Sequence, residues 1–121
     1  MKENEWRSKL VKAFTQNFKD QGFIWVNDVR YKAGWPDIYI VANGVSRHYE
    51  LKLCRGPMFL DQMSALQKAV CKRLAKAGAH VSCLTYIPDR SLVQVTNFNS
   101  NHTYAIHQSL FMFRWISGWL L

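Results

Sequence analysis

Gly34-Trp35-Pro36-Asp37-Ile38-Tyr39-Ile40-Val41, followed by Asn43-Gly44 and then His48-Tyr49-Glu50-Leu51-Lys52-Leu53, is the stretch that decides the fold. The apolar run after Asp37 reads as a strand. Asn43-Gly44 is a hairpin turn signal, because both residues accept a positive φ. The returning segment alternates, so His48, Glu50 and Lys52 face one way and Tyr49, Leu51 and Leu53 the other. If the strands pair as a hairpin, Asp37 approaches Glu50 from the neighbouring strand. Pro36 fixes its own φ and Gly34 permits a tight approach, so the loop delivers Asp37 rigidly at the strand start.

Two carboxylates and an amine in this arrangement form a compact site for a divalent cation and a cleaving water. Mg²⁺ prefers hard oxygen ligands and keeps several waters, so two carboxylates suffice when a substrate phosphate completes the shell. Lys52 would hold the attacking water or the phosphate and stabilise developing negative charge. The plain alternative is a solvated Glu-Lys pair on an amphipathic strand. A bare Glu-x-Lys is far less specific than the whole loop, strand, turn and strand pattern.

Pro36-Asp37 with Glu50-Leu51-Lys52 resembles the PD-(D/E)xK nuclease superfamily. Within it the chain is most similar to the virus-type replication-repair nuclease (VRR-NUC) group and to related small phage and Holliday junction-resolving enzymes. The matching segments are Lys32-Ala33-Gly34-Trp35-Pro36-Asp37, Tyr49-Glu50-Leu51-Lys52 and Ser64-Ala65-Leu66-Gln67. The likeness covers roughly residues 3–86 and leaves the C-terminal segment outside. It implies a restriction-endonuclease-like α/β core: a mixed sheet flanked by helices, one before the sheet and one after the Glu-x-Lys strand. It also implies phosphodiester hydrolysis dependent on Mg²⁺, with Mn²⁺ as a substitute. Asp37, Glu50 and the Leu51 backbone would then be metal ligands and Lys52 the catalytic lysine. Glu3 would be the further acid that many relatives carry on the first helix. It shares a helical stripe with Trp6, Leu10, Phe14 and Phe18, whereas Glu5 lies off it. An acid favoured by the helix dipole is the other reading of Glu3. Gln67 matches a glutamine of the second helix that helps orient the site; a surface glutamine is the alternative.

The whole chain bounds these readings. Its 121 residues make one domain, with a core expected at about 3–96 and a helical extension at about 103–121. The net charge of +8 favours polyanionic partners. Arg30, Lys32 and Arg55 flank the site in sequence, and Lys68 lies on the second helix. These four are the expected phosphate contacts, with solvated faces the alternative for most helix-two lysines. Cys54, Cys71 and Cys83 show no zinc spacing, and the N-terminus is charged rather than apolar. Reduced thiols in a cytoplasm follow, a host's cytoplasm if the chain is phage-encoded. Cys71 and Cys83 read as core residues, and Cys54 as reachable by thiol reagents. His48 shares the face of Glu50 and could touch substrate or metal; an edge histidine is the plainer reading.

Helices are expected over 3–20 and 61–77, and strands at 23–26, 80–87 and 92–96. Thr103 to Leu121 reads as an apolar helix. Ile106, Leu110, Phe113 and Ser117 share one face, and Phe111, Trp115 and Trp119 another. Its polar interruptions argue against a membrane span. Core packing, a homodimer contact through this aromatic helix, or a wedge against unpaired bases remain open for it. The expected function is a metal-dependent deoxyribonuclease, structure-selective on branched, flapped or junction DNA. A sequence-specific endonuclease, a non-catalytic nucleic-acid-binding module and an RNA substrate are the rivals.

Overall fold

The hairpin forms as its turn dictates. Asn43 and Gly44 take φ of 53° and 77°, the left-handed conformation that a two-residue turn needs to match strand twist. Strands β2 (Ile38–Ala42) and β3 (Val45–Leu53) pair antiparallel from Ala42↔Val45 to Ile38↔Tyr49. The computed structural model describes residues 1–27, 33–55 and 62–117. Helix α1 (Glu3–Phe18) precedes strand β1 (Gly22–Val26), which pairs antiparallel with β2. Helix α2 (Ala65–Lys76) then carries the chain to β4 (His80–Ile87), which lies parallel to β3. Strands β5 (Leu92–Asn97) and β6 (His102–His107) extend the sheet antiparallel, and α3 (Gln108–Ile116) follows. The sheet order is β1-β2-β3-β4-β5-β6, so the expected mixed sheet flanked by helices is found.

The core lies between the sheet and the α1/α3 layer. Trp6, Leu10 and Phe14 of α1 meet Tyr49, Leu51, Leu84, Val93 and Val95 of the sheet and Phe111 and Trp115 of α3. The stripe expected on the first helix is therefore its buried face. The buried indoles keep their polar edges satisfied: Trp115 Nε1 donates to the Leu10 carbonyl at 2.9 Å and Trp6 Nε1 to that of Leu84 at 3.4 Å. Helix α2 packs on β4, with Cys71 and Cys83 buried.

Three expectations need correction. The segment at 103–121 is not one helix: His102–His107 is a strand paired with β5, and the helix begins only at Gln108. The His107 ring accepts a hydrogen bond from the Ser109 N–H and caps that helix. Phe111 and Trp115 enter the core, whereas Leu110, Phe113 and Ile116 are exposed; Trp119 lies outside the described residues. The second helix starts at Ala65 rather than 61, because Ser64 and Gln67 form a capping box there. Cys54 is fully buried rather than reachable, and its N–H continues the pairing with β4 by bonding the Tyr86 carbonyl. Among the described residues, no helix is long and apolar enough to cross a membrane.

Candidate active site

Asp37 stands immediately before β2, and its Oδ2 accepts a 2.8 Å hydrogen bond from the Leu51 N–H of β3. The loop that brings it there depends on Gly34. This residue has φ +81°, and a Cβ on it would lie 2.8 Å from Leu66 Cγ of α2. Both the backbone conformation and the close approach to the helix require glycine. Pro36 is buried beside it, and the Asn27 N–H donates to the Asp37 carbonyl at 2.7 Å, fastening the other side of the loop.

Glu50 lies on the opposite sheet face from Tyr49 and Leu51, as alternation requires. It is only 1% exposed. Its Oε1 receives the Gln67 amide at 3.5 Å, whereas its Oε2 is buried without a hydrogen-bond partner. Burial, then the hydrogen-bonded and like-charged Asp37, pushes its pKa up to about 9, while Lys52 acts in the opposite sense. Glu3 adds a smaller repulsion from α1. The thiols of Cys71 and Cys83, each pushed up to about 12 chiefly by burial, share this environment. His48, on the same strand face, has its pKa lowered by burial, so its ring tends to be neutral.

The surroundings account for the remaining residues. A cleft of about 250 Å³ is lined by Glu3, Asn4, Arg7, Asp37 and Leu51. The start of α1 thus meets the Pro-Asp loop, and Glu3 rather than Glu5 faces it. Asn4 and Arg7 had no motif to mark them, although Arg7 lies one helical turn after Glu3. Gln67 does two things. Its side-chain oxygen accepts from the Ser64 N–H at 2.9 Å, and its amide nitrogen turns to Glu50. The Ser-x-x-Gln capping pattern was visible in the sequence and would have placed the helix start. Lys52 is half-buried and stands opposite Thr85 of β4. Lys68 lines a separate groove with Lys72, Thr85, Gln94 and Thr96. Arg55 is exposed, and its guanidinium donates to the Met1 carbonyl. Arg30 and Lys32 lie outside the described residues.

Among the described residues, no cluster of three or more His, Cys, Asp or Glu side chains is placed to hold a metal. A carboxylate pair with an orphaned buried oxygen fits a hard divalent cation that retains waters. Such an ion would oppose the burial and the Asp37 repulsion that raise the Glu50 pKa.

No family model matches this chain, and no curated protein matches it. A solved structure does: Hjc of Archaeoglobus fulgidus, a Holliday junction resolvase from an archaeal hyperthermophile. The TM-score is 0.52 at 16% sequence identity, over 96% of this chain and 95% of that one. The six-stranded mixed sheet with helices on both faces is the restriction-endonuclease-like α/β fold. The match takes in most of the C-terminal segment, which the sequence resemblance left outside.

Proposed function

We propose that this chain is a divalent-metal-dependent deoxyribonuclease, a structure-selective endonuclease acting on branched, flapped or junction DNA. The observation that carries it is the Asp37–Glu50 pair, in which Glu50 is buried, its Oε2 has no hydrogen-bond partner and Lys52 follows two residues on. A protein does not gain stability by burying one carboxylate against another. The arrangement makes sense where a cation belongs. The likeness to a Holliday junction resolvase supports DNA as the substrate, and the net charge of +8 supports a polyanion in general.

In this reading Asp37 and Glu50 hold the ion, with the Leu51 carbonyl and Glu3 completing the protein's share. The bound ion, Mg²⁺ or Mn²⁺, lowers the pKa of water and screens phosphate charge. Asp37 is held in place by the Leu51 N–H, and Glu50 by the Gln67 amide, so neither carboxylate has to be ordered when substrate arrives. Lys52, on the same face as Glu50, holds the attacking water or the scissile phosphate. Arg30, Lys32, Arg55 and Lys68 are proposed as phosphate contacts flanking the cut. Leu110, Phe113 and Ile116 offer a surface through which a second copy could pair. A two-fold dimer would set two sites on one branched DNA.

The test is cleavage of a labelled four-way junction, flap, single strand and linear duplex with Mg²⁺, Mn²⁺ or EDTA. Asp37→Asn and Lys52→Ala should each lose about 100-fold or more in rate while remaining folded. Metal-dependent cutting that survives both substitutions would sink the proposal. Binding without cutting on every substrate would favour a non-catalytic module, and cutting at one fixed duplex sequence a sequence-specific enzyme.

A further inference from the structure

The sheet face that carries Glu50 and Lys52 continues beyond them. His48 shares that face two residues earlier on β3, about 7 Å along the strand. In the register His48 stands opposite Tyr39, and Tyr39 opposite Trp25. Three rings therefore form one rung across β3, β2 and β1, ending beside the carboxylate pair. The His48 and Tyr39 rings lie 4.8 Å apart, and Trp35 meets the His48 ring edge-on at 6.4 Å. Phe23 adds a ring on the next rung, opposite Val41.

Among the described residues, nothing covers these outer rings. Trp25 is 61% exposed and Phe23 53%. Their neighbour Gly22 abuts Phe14 and Phe18 of α1, so alternation turns Phe23 and Trp25 away from that helix. Large exposed aromatics grouped on one surface mark a binding site.

We propose that this strip is a stacking platform for unpaired nucleotides of a DNA strand beside the scissile phosphate. The proposal rests on the nuclease reading above and narrows its substrate class. Flat rings on an open sheet face stack on any base, because every base has a π-face. The platform is continuous with the proposed catalytic pair, so a strand lying on it runs into the site. Charge favours this occupant: a chain of net charge +8 attracts a polyanion. Paired bases are stacked inside their own helix and cannot use these rings. DNA with a single-stranded tail or flap is therefore preferred over a fully paired four-way junction.

The experiment compares the full chain with Trp25→Ala, Trp25→Phe and Phe23→Ala. Binding in EDTA is measured by fluorescence anisotropy on three DNAs: a duplex with a single-stranded tail containing 2-aminopurine, a fully paired four-way junction, and a blunt duplex. Cleavage of the same DNAs is measured with Mg²⁺. Trp25→Ala should weaken tailed-duplex binding by roughly 5- to 150-fold and leave blunt duplex almost unchanged. Trp25→Phe should keep most of the affinity. The 2-aminopurine fluorescence should be quenched by the wild type and much less by Trp25→Ala. Thermal melting reports whether the variants fold, which is expected for residues this exposed. Equal effects on tailed and blunt DNA, or none on either, overturn the platform while wild-type cleavage leaves the nuclease intact. Loss of a dimer in light scattering without loss of affinity would give the strip to a second copy instead. A wild type that neither binds nor cuts any of the three DNAs overturns both readings.

Discussion

Replacing Glu50 by glutamine is expected to stabilise the metal-free protein, and increasingly so as pH rises. Carboxylates in folded proteins usually have lowered pKa values, so their stabilisation is lost in acid. Glu50 is the reverse, because its folded pKa is raised to about 9 from an ordinary value of 4.5. Between those values the folded chain holds a proton that the unfolded chain has released. Stability contributed by this group is thus fully present below about 4.5 and falls until about pH 9, by about 1.4 kcal/mol per pH unit. From about pH 5.5 to about pH 8 the loss is about 3 kcal/mol, a large part of the stability of a domain this size. Glutamine has nearly the same shape, and its amide can still donate towards Asp37, but it does not titrate. Urea unfolding of both proteins in EDTA, across this pH range, isolates the effect as the difference between their stabilities. That difference should rise in favour of Glu50→Gln by about 1.4 kcal/mol per unit. Saturating Mg²⁺ at about 100 times its dissociation constant should return about 3 kcal/mol to the wild type and little to the variant. A difference that stays flat with pH would refute the reasoning, because Glu50 would then be ionised in the folded protein without a cation.

Two further substitutions probe the frame around the site. Gly34→Ala should cost about 2 kcal/mol, from its φ of +81° and the 2.8 Å approach to Leu66. Adding Leu66→Ala should recover part of that loss but not the backbone share; full recovery in denaturant melts would show that φ at Gly34 is unimportant. Trp115→Phe removes the 2.9 Å hydrogen bond to the Leu10 carbonyl and should cost about 1–3 kcal/mol. Phe113→Ser, at a ring 64% exposed, should change monomer stability by less than about 0.5 kcal/mol. If Phe113→Ser abolishes a dimer seen by sedimentation, the outer face of α3 is an intersubunit surface.

Short-range grammar carried the centre of this fold. Asn43-Gly44 specified a turn that pairs β2 with β3, and alternation then decided which side chains of β3 enter the core. The placement of Glu50 and Lys52 on the other face followed from the same period. At the C-terminal segment two periods competed. Ile106, Leu110 and Phe113 fit a helical spacing, but Tyr104 and Ile106 also alternate with Thr103 and Ala105. Pairing with β5 settled the contest, and that partner is distant information no local window contains. The start of α2 was legible in Ser64-x-x-Gln67, yet the turn of Gln67 towards Glu50 was not, because it depends on how the helix sits on the sheet. Cys54 likewise joins β4 through a backbone bond to Tyr86, more than 30 positions later, which its local sequence does not announce.

The indole bond between Trp115 and Leu10 spans 105 positions, and that between Trp6 and Leu84 spans 78. A ribosome releases residues in order, so the apolar stripe of α1 is made before the strands and helix that cover it. Through most of synthesis Trp6, Leu10 and Phe14 have neither β4 and β5 nor α3 to pack against. Such a chain completes its core only after Trp115 has cleared the exit tunnel, and until then it presents a chaperone with an amphipathic N-terminal helix. Glu3 and Arg7 sit on that same helix. The cleft that they form with Asp37 therefore stands on a helix that has only β1, β2 and β3 to pack against until β4, β5 and α3 have been made.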